Sequence, residues 1–319
     1  MNILITGIAG FIGSSLGEKL LLLGHTIIGL DNFDPFYPRK IKEFNLSTLN
    51  DSDGFSFFEC DIRDSEIMSS IFQSKAIDVV IHLAAKAGVR PSIESVTEYY
   101  DVNVNGTLTL LECMKKHEVK KMIFASSSSI YGNNPKVPFS ETDTVDNPIS
   151  PYASTKKSGE LLCHVYSHLY NFDITCLRFF TVFGPRQRPD LAIHKFTKLI
   201  DEGKPIPFYG DGSSARDYTF IEDIIDGICC AVNHLHGYQF YNLGESKVIT
   251  LNQMVEVIEK ALGKKAELTP LPFQQGDVNL TFADISKAQK EINYHPSFDF
   301  ETGIKLFVSW YLNNKKNLK

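Results

Sequence analysis

Between a short β-forming run, Ile3 to Thr6, and a helical pattern that reaches Leu23 stands Gly7-Ile8-Ala9-Gly10-Phe11-Ile12-Gly13, and this order restricts the chain more than any other feature. Glycines directly after a strand let the backbone approach a ligand closely, and the helix they open offers unpaired N–H groups to an anion. Strand, glycine turn and helix in register are the context of a dinucleotide-phosphate site. Asp31 ends the next β-rich run, where a carboxylate accepts hydrogen bonds from both adenosine ribose hydroxyls and repels a 2′-phosphate. NAD is therefore expected rather than NADP, with Asn32 beside Asp31 in the same set.

Further β-rich runs alternate with helical patterns: Thr26 to Leu30, Phe55 to Glu59, Val79 to Leu83, Met122 to Ala125, Ile174 to Phe180 and, later, Phe240 to Leu243. They are almost continuously apolar, as strands covered on both faces must be. The expected fold is α/β: a Rossmann-type doubly wound parallel sheet with a smaller, partly interleaved α/β lobe. Pro185, Pro189, Pro205 and Pro207 break the later pattern into shorter pieces. Residues 1–180 are thus expected to form the dinucleotide-binding domain, and 181–319 mainly a substrate lobe with segments that return to the first.

With 43% hydrophobic and 22% charged residues the chain has the composition of an ordinary globular protein, and its net charge of −6 carries no basic stripe to suit nucleic acid. Asn2, Ile3 and Leu4 follow Met1 with no charged leader and no long apolar stretch, so a cytoplasmic protein without a membrane partner is expected. Six cysteines without a CxxC pair read as reduced thiols, and nine histidines without HExxH give a metal no support.

Tyr152 and Lys156 lie four apart at the start of a helix that Ser150 can cap and Pro151 can begin, so they share one face. A free phenol has a pKa near ~10, but an ammonium neighbour and a cationic nicotinamide both favour its anion. Upstream, Phe124-Ala125-Ser126-Ser127-Ser128-Ser129-Ile130-Tyr131-Gly132 puts hydroxyls at the C-terminal end of a central strand, where open parallel sheets bind ligands. A Ser/Tyr/Lys group can relay one proton while NAD takes one hydride.

At these residues the chain resembles the extended short-chain dehydrogenase/reductases, specifically their nucleotide-sugar epimerases. The likeness rests on motif order: Gly7 to Gly13, Asp31, Asp61-Ile62, Leu83-Ala84-Ala85, the serine run, Tyr152 with Lys156, Arg178-Phe179-Phe180 and Arg216-Asp217-Tyr218. The resemblance implies that Asp61 and Ile62 flank the adenine, that Leu83, Ala84, Ala85 and Lys86 line the cofactor's phosphate and ribose side, and that Phe179 and Phe180 close the nicotinamide pocket. It gives Ser127 the catalytic serine position beside Tyr152 and Lys156. Arg216 would hold the nucleotide diphosphate, with Lys195, Phe196, Phe208, Tyr209 and Asp277 near the uridine. Arg90, in the epimerase-like Ala87-Gly88-Val89-Arg90, joins the substrate set.

Relatives that dehydrate carry an Asp-Glu pair after the catalytic threonine, and decarboxylating relatives carry a Glu two residues before Tyr-Gly; this chain has Ser128 and Ser129 there. Serines supply the second acid/base of a dehydration poorly. Thr181 after Arg178-Phe179-Phe180, and the run Val182 to Asp190, resemble the UDP-glucuronate 4-epimerases, in which Thr181 and Arg188 would face the sugar carboxylate and Ser128 and Ser129 add neutral donors. That implies interconversion of UDP-glucuronate and UDP-galacturonate through a transient 4-keto sugar on tightly bound NAD. Epimerases of UDP-glucose or UDP-N-acetylglucosamine, a UDP-glucuronate decarboxylase and a silent NAD-binding sensor stay open as alternatives. A homodimer is expected through the Tyr152–Tyr170 helix, whose Leu161, Leu162, Val165 and Leu169 exceed one buried stripe.

Overall fold

The computed structural model describes residues 1–272 and 280–318. Its strands, in chain order, are β1 (Asn2–Thr6), β2 (Thr26–Asp31), β3 (Phe55–Glu59), β4 (Val79–His82), β5 (Lys121–Ser127), β6 (Asp173–Phe179), β7 (Thr181–Phe183), β8 (Ile206–Tyr209), β9 (Ala215–Phe220), β10 (Tyr238–Leu243), β11 (Val248–Thr250) and β12 (Leu268–Leu271). Seven of them form one all-parallel sheet in the order β10-β6-β5-β4-β1-β2-β3. These are the seven β-rich runs read from the sequence. The chain winds outward from β1 to β3, then crosses back to β4, so the sheet has its topological switch point between β1 and β4.

Alternate side chains of each inner strand enter two separate cores. Ile3, Ile5, Ile27, Val79, Ile81 and Ile123 pack on one face, and Leu4, Ile28, Val80, Met122 and Phe124 on the other. The Phe11–Leu22, Arg39–Asn50 and Ile221–Asn233 helices cover the first face, and the Ser65–Ser74, Gly106–Lys116 and Pro151–Tyr170 helices the second. Two small sheets, β11-β9-β7 and β12-β8, are separate from the large one, with β7 beginning just past the carboxyl end of β6, while β10 joins the large sheet beside β6. Among the described residues no helix is long and apolar enough to cross a membrane.

The Pro151–Tyr170 helix starts as the sequence implies, with the Ser150 hydroxyl accepting from Ala153 N–H and Pro151 in the first turn. Gly159 lets it lie unusually close to β5: a Cβ there would stand 2.3 Å from the Phe124 ring. Beside it, His82 is sealed between β1 and the Gly106–Lys116 helix, its Nδ1 2.7 Å from Thr6 Oγ1 and its Nε2 3.0 Å from Thr107 Oγ1. Burial, helped by the charge of Lys156, pushes its pKa down to about 3.

In the unfolded chain this imidazole takes a proton near pH 6.5, whereas in the folded protein it does not, so stability present above about 6.5 is lost as pH falls toward 3. The loss is roughly 1.4 kcal/mol per pH unit at most. Thermal unfolding between pH 7 and 4 should therefore fall less steeply in His82→Gln than in the parent; parallel slopes would show that His82 is not the titrating group.

Candidate active site

All the elements that end at the carboxyl edge of β1, β2, β4, β5 and β6 open onto one cleft of about 490 Å³. At its cofactor-type end Gly7 adopts φ +75°, and its N–H donates to Leu30 O at 2.7 Å. A Cβ on Gly7 would stand 2.8 Å from Ala84 N, and one on Gly13 2.2 Å from Gly7 O, so the turn and the chain leaving β4 touch backbone to backbone. The Phe11–Leu22 helix begins at Gly10 with no side-chain cap, which leaves its first amides facing the cleft for an anion to accept.

Asp31 is buried at the end of β2, accepting from Ala9 N (3.1 Å) and Phe33 N (2.8 Å), with Lys42 Nζ 3.6 Å away. Asn32 donates to Asp61 at 2.9 Å, and Arg63 grips the same carboxylate from two nitrogens. The Arg63 hydrogen bond is the main reason that the Asp61 pKa drops to about 2. Lys86 bridges Asp34 (3.1 Å) and Glu98 (2.8 Å). Its backbone is clamped by Asn103, which also donates to Thr155 Oγ1 from a π-helical turn at Asp101–Asn105. Gly7, Gly10, Phe11, Ile12, Gly13, Asp31, Asn32, Asp61, Ile62, Leu83, Ala84, Ala85, Lys86 and Phe179 all line the cleft.

Ser127, Ser128, Ser129, Tyr152 and Lys156 line its middle. The Ser127 and Ser129 hydroxyls are 2.5 Å apart, and Ser127 hydrogen-bonds the Tyr152 phenol. Burial raises the Tyr152 pKa above its ordinary value, opposed by that bond and by the charge of Arg188. Tyr152 is seated by its backbone N–H on Ser92 Oγ (3.1 Å) and by the Tyr99 ring edge-on at 6.4 Å. Lys156 donates to Ala125 O at 2.7 Å, and burial lowers its pKa to about 8. A phenol and an ammonium one helical turn apart, with a hydroxyl from the end of β5 beside the phenol, can move one proton to and from a bound hydroxyl.

The far end holds Thr181, Arg188 and Arg216. Arg188 pairs with Asp190 through Nε (3.0 Å) and Nη2 (2.7 Å). Other sequence-predicted residues lie outside the cleft lining: Lys195 is exposed, Phe196 and Phe208 are buried, and Arg90 stacks on the Tyr209 ring at 5.5 Å. Asp277 lies outside the described residues. The sequence reading missed Phe36, Tyr37, Lys42, Leu191 and Thr281, which also line the cleft. Phe36 and Tyr37 had a signal, two aromatics held between Pro35 and Pro38 just after the Asp31 strand.

Residues 4–307 match the family model described as GDP-mannose 4,6 dehydratase. The chain belongs to this family of extended short-chain dehydrogenase/reductases. Within the family it is 47% identical over 99% of its length to a UDP-glucuronate 4-epimerase of Thermodesulfobacterium geofontis, of which it covers 98%. A crystal structure of a Bacillus cereus UDP-glucuronic acid 4-epimerase in complex with UDP-glucuronic acid and NAD is 37% identical, with a TM-score of 0.92 over 98% of this chain and 99% of that one. A Thermotoga maritima UDP-glucose 4-epimerase with UDP-glucose is 33% identical at a TM-score of 0.91, covering 99% of this chain and all of that one.

As a family member the protein should depend on the close packing of Gly13 on Gly7 within this turn for dinucleotide binding. Gly13→Ala forces a methyl group against Gly7 O and is expected to weaken dinucleotide binding at least tenfold in equilibrium dialysis; unchanged affinity would mean that the turn relaxes freely.

Proposed function

We propose that the protein is a UDP-glucuronate 4-epimerase that keeps NAD tightly bound. The observation that carries this reading is the placement of Arg188 and Thr181 in the same cleft as Ser127, Tyr152 and Lys156. A guanidinium is the best protein partner for a sugar carboxylate. The fit of NAD is supported by the methyl-excluding contact of Gly7 with Ala84, the uncapped first turn at Gly10 and the carboxylate of Asp31. We assign residues 1–180 chiefly to the cofactor and 181–319 chiefly to the UDP-sugar.

When bound, NAD would supply the hydride acceptor and donor that a reversible oxidation at C4 requires. Tyr152 takes the C4 hydroxyl proton and later returns it. Ser127 orients that hydroxyl through its bond with Tyr152, and the charge of Arg188, with Lys156 four residues along the same helix, lowers the cost of the phenolate. Arg216 holds the diphosphate. A 4-keto uronate is a β-keto acid prone to lose CO₂, so Arg188 and Thr181 also keep its carboxylate out of the geometry for that loss.

Purified protein given UDP-glucuronate without added NAD should form an isomer of unchanged mass that co-elutes with UDP-galacturonate. Arg188→Ala should raise KM for UDP-glucuronate at least tenfold, about 1.4 kcal/mol, and far more than for UDP-glucose. Loss of CO₂ would identify a decarboxylase, turnover of neutral UDP-hexoses alone would identify a hexose epimerase, and equal effects of the substitution on both sugars would remove Arg188 from carboxylate binding.

We also propose a cytoplasmic homodimer built on the Pro151–Tyr170 helix. Leu161, Val165 and Leu169 stand 56%, 44% and 59% exposed along it, whereas Leu162 packs inward. Light scattering should give twice the chain mass, and Leu161→Glu with Leu169→Glu should halve it; a parent that is already monomeric refutes the dimer.

A further inference from the structure

Arg188 begins a tight turn, Arg188-Pro189-Asp190-Leu191, closed by Leu191 N–H donating to Arg188 O at 3.2 Å. Pro189 presets the second position of that turn, which brings the side chains of Arg188 and Asp190 together. The Asp190 carboxylate takes one edge of the guanidinium, Nε to Oδ1 at 3.0 Å and Nη2 to Oδ2 at 2.7 Å. The flat face of the same guanidinium lies over the Phe36 ring, 4.9 Å from its centroid.

Phe36 reaches this place on a loop fastened at the other end of the cleft. Phe33 N–H donates to Asp31, Phe36 N–H donates to Asp34 Oδ1, and Asp34 pairs with Lys86. One edge and one face of Arg188 are thus occupied by protein. Among the described residues the second edge, Nη1 with the outer hydrogen of Nη2, has no protein acceptor, and Arg188 lines the cleft that holds Tyr152. A guanidinium can serve two carboxylates on two edges at once.

Resting on the uronate reading above, we propose that Asp190 and Phe36 are positioning residues that hold Arg188 with this second edge turned to the substrate carboxylate. They spare the side chain the ordering cost of a long flexible arginine when the sugar arrives. Asp190 also balances the partly buried Arg188 charge while no uronate is bound. The rival role is competition, in which Asp190 and the substrate carboxylate contend for Arg188. The two roles give opposite signs.

Wild-type enzyme, Asp190→Asn, Asp190→Glu and Phe36→Leu are compared for KM and kcat with UDP-glucuronate and for inhibition by UDP, which reports the rest of the site. Asp190→Asn puts an amide N–H against the guanidinium and is expected to raise KM at least tenfold. It should leave kcat within about threefold and the UDP inhibition constant unchanged. Phe36→Leu should raise KM by a smaller factor, and Asp190→Glu should recover part of the loss. A KM that is unchanged or lower in Asp190→Asn overturns the proposal in favour of competition, and a parallel rise in the UDP constant overturns it as a general collapse of the site. A wild type inert toward UDP-glucuronate removes the uronate reading itself, and this inference with it.

Discussion

No methyl group fits between Gly7 and the backbone of Ala84, and the ligand-binding edge of the molecule depends on that contact. Because β1 lies between β2 and β4, the turn after β1 meets the chain leaving β4 at the switch point of the sheet. Thr6 binds both sides of the junction, accepting from Ala84 N–H at 3.2 Å while its hydroxyl meets His82 at 2.7 Å. Anything that separated β1 from β4 would part the glycine turn from the Leu83–Lys86 wall of the cleft. The closeness of the backbones therefore sets how the remaining side chains can be aimed.

A second constraint lies deeper. Arg178 crosses from β6 to the Pro151–Tyr170 helix, making a two-pronged pair with Glu160 at 2.9 and 3.0 Å, while Ser126 donates to the same carboxylate. Its third contact, 2.9 Å to Tyr131 Oη, links through Asn242 to β10. Buried pairs of this kind add little net stability over an apolar core, but removing one partner costs ~3–5 kcal/mol. The network locks the helix bearing Tyr152 and Lys156 in register with the strand bearing Ser127.

The large sheet was legible because strands covered on both faces must be apolar at nearly every position, and all seven runs said so. The small sheets were harder to read for a physical reason. β7 is three residues long and starts one residue after β6, so Thr181–Phe183 merges with the preceding run, and β8 contains Pro207. At the site, motif order pointed to the glycine turn and the Ser/Tyr/Lys group and the family resemblance pointed to Arg188, and all of them line the one cleft. Arg178 stood in a recognised motif, yet its partners come from Glu160, Tyr131 and Asn242, contacts that spacing along the chain cannot express. Phe36 was missed for the same reason, since what matters is the distant guanidinium that lies on it.

The return of β10 to the sheet bears on how such a protein can change through evolution. The strand Tyr238–Leu243 pairs with β6 along its whole length, and Asn242 ties it to Phe139 O and Asp284 O. Recombination that exchanged everything after β6 would tear out an integral strand of the large sheet and leave a bare edge where β6 now finds a neighbour. Inheritance of a new sugar preference by wholesale module exchange is thereby closed to this architecture. Drift at single positions in the Thr181–Asp190 stretch, which carries no strand of the large sheet, stays open to it.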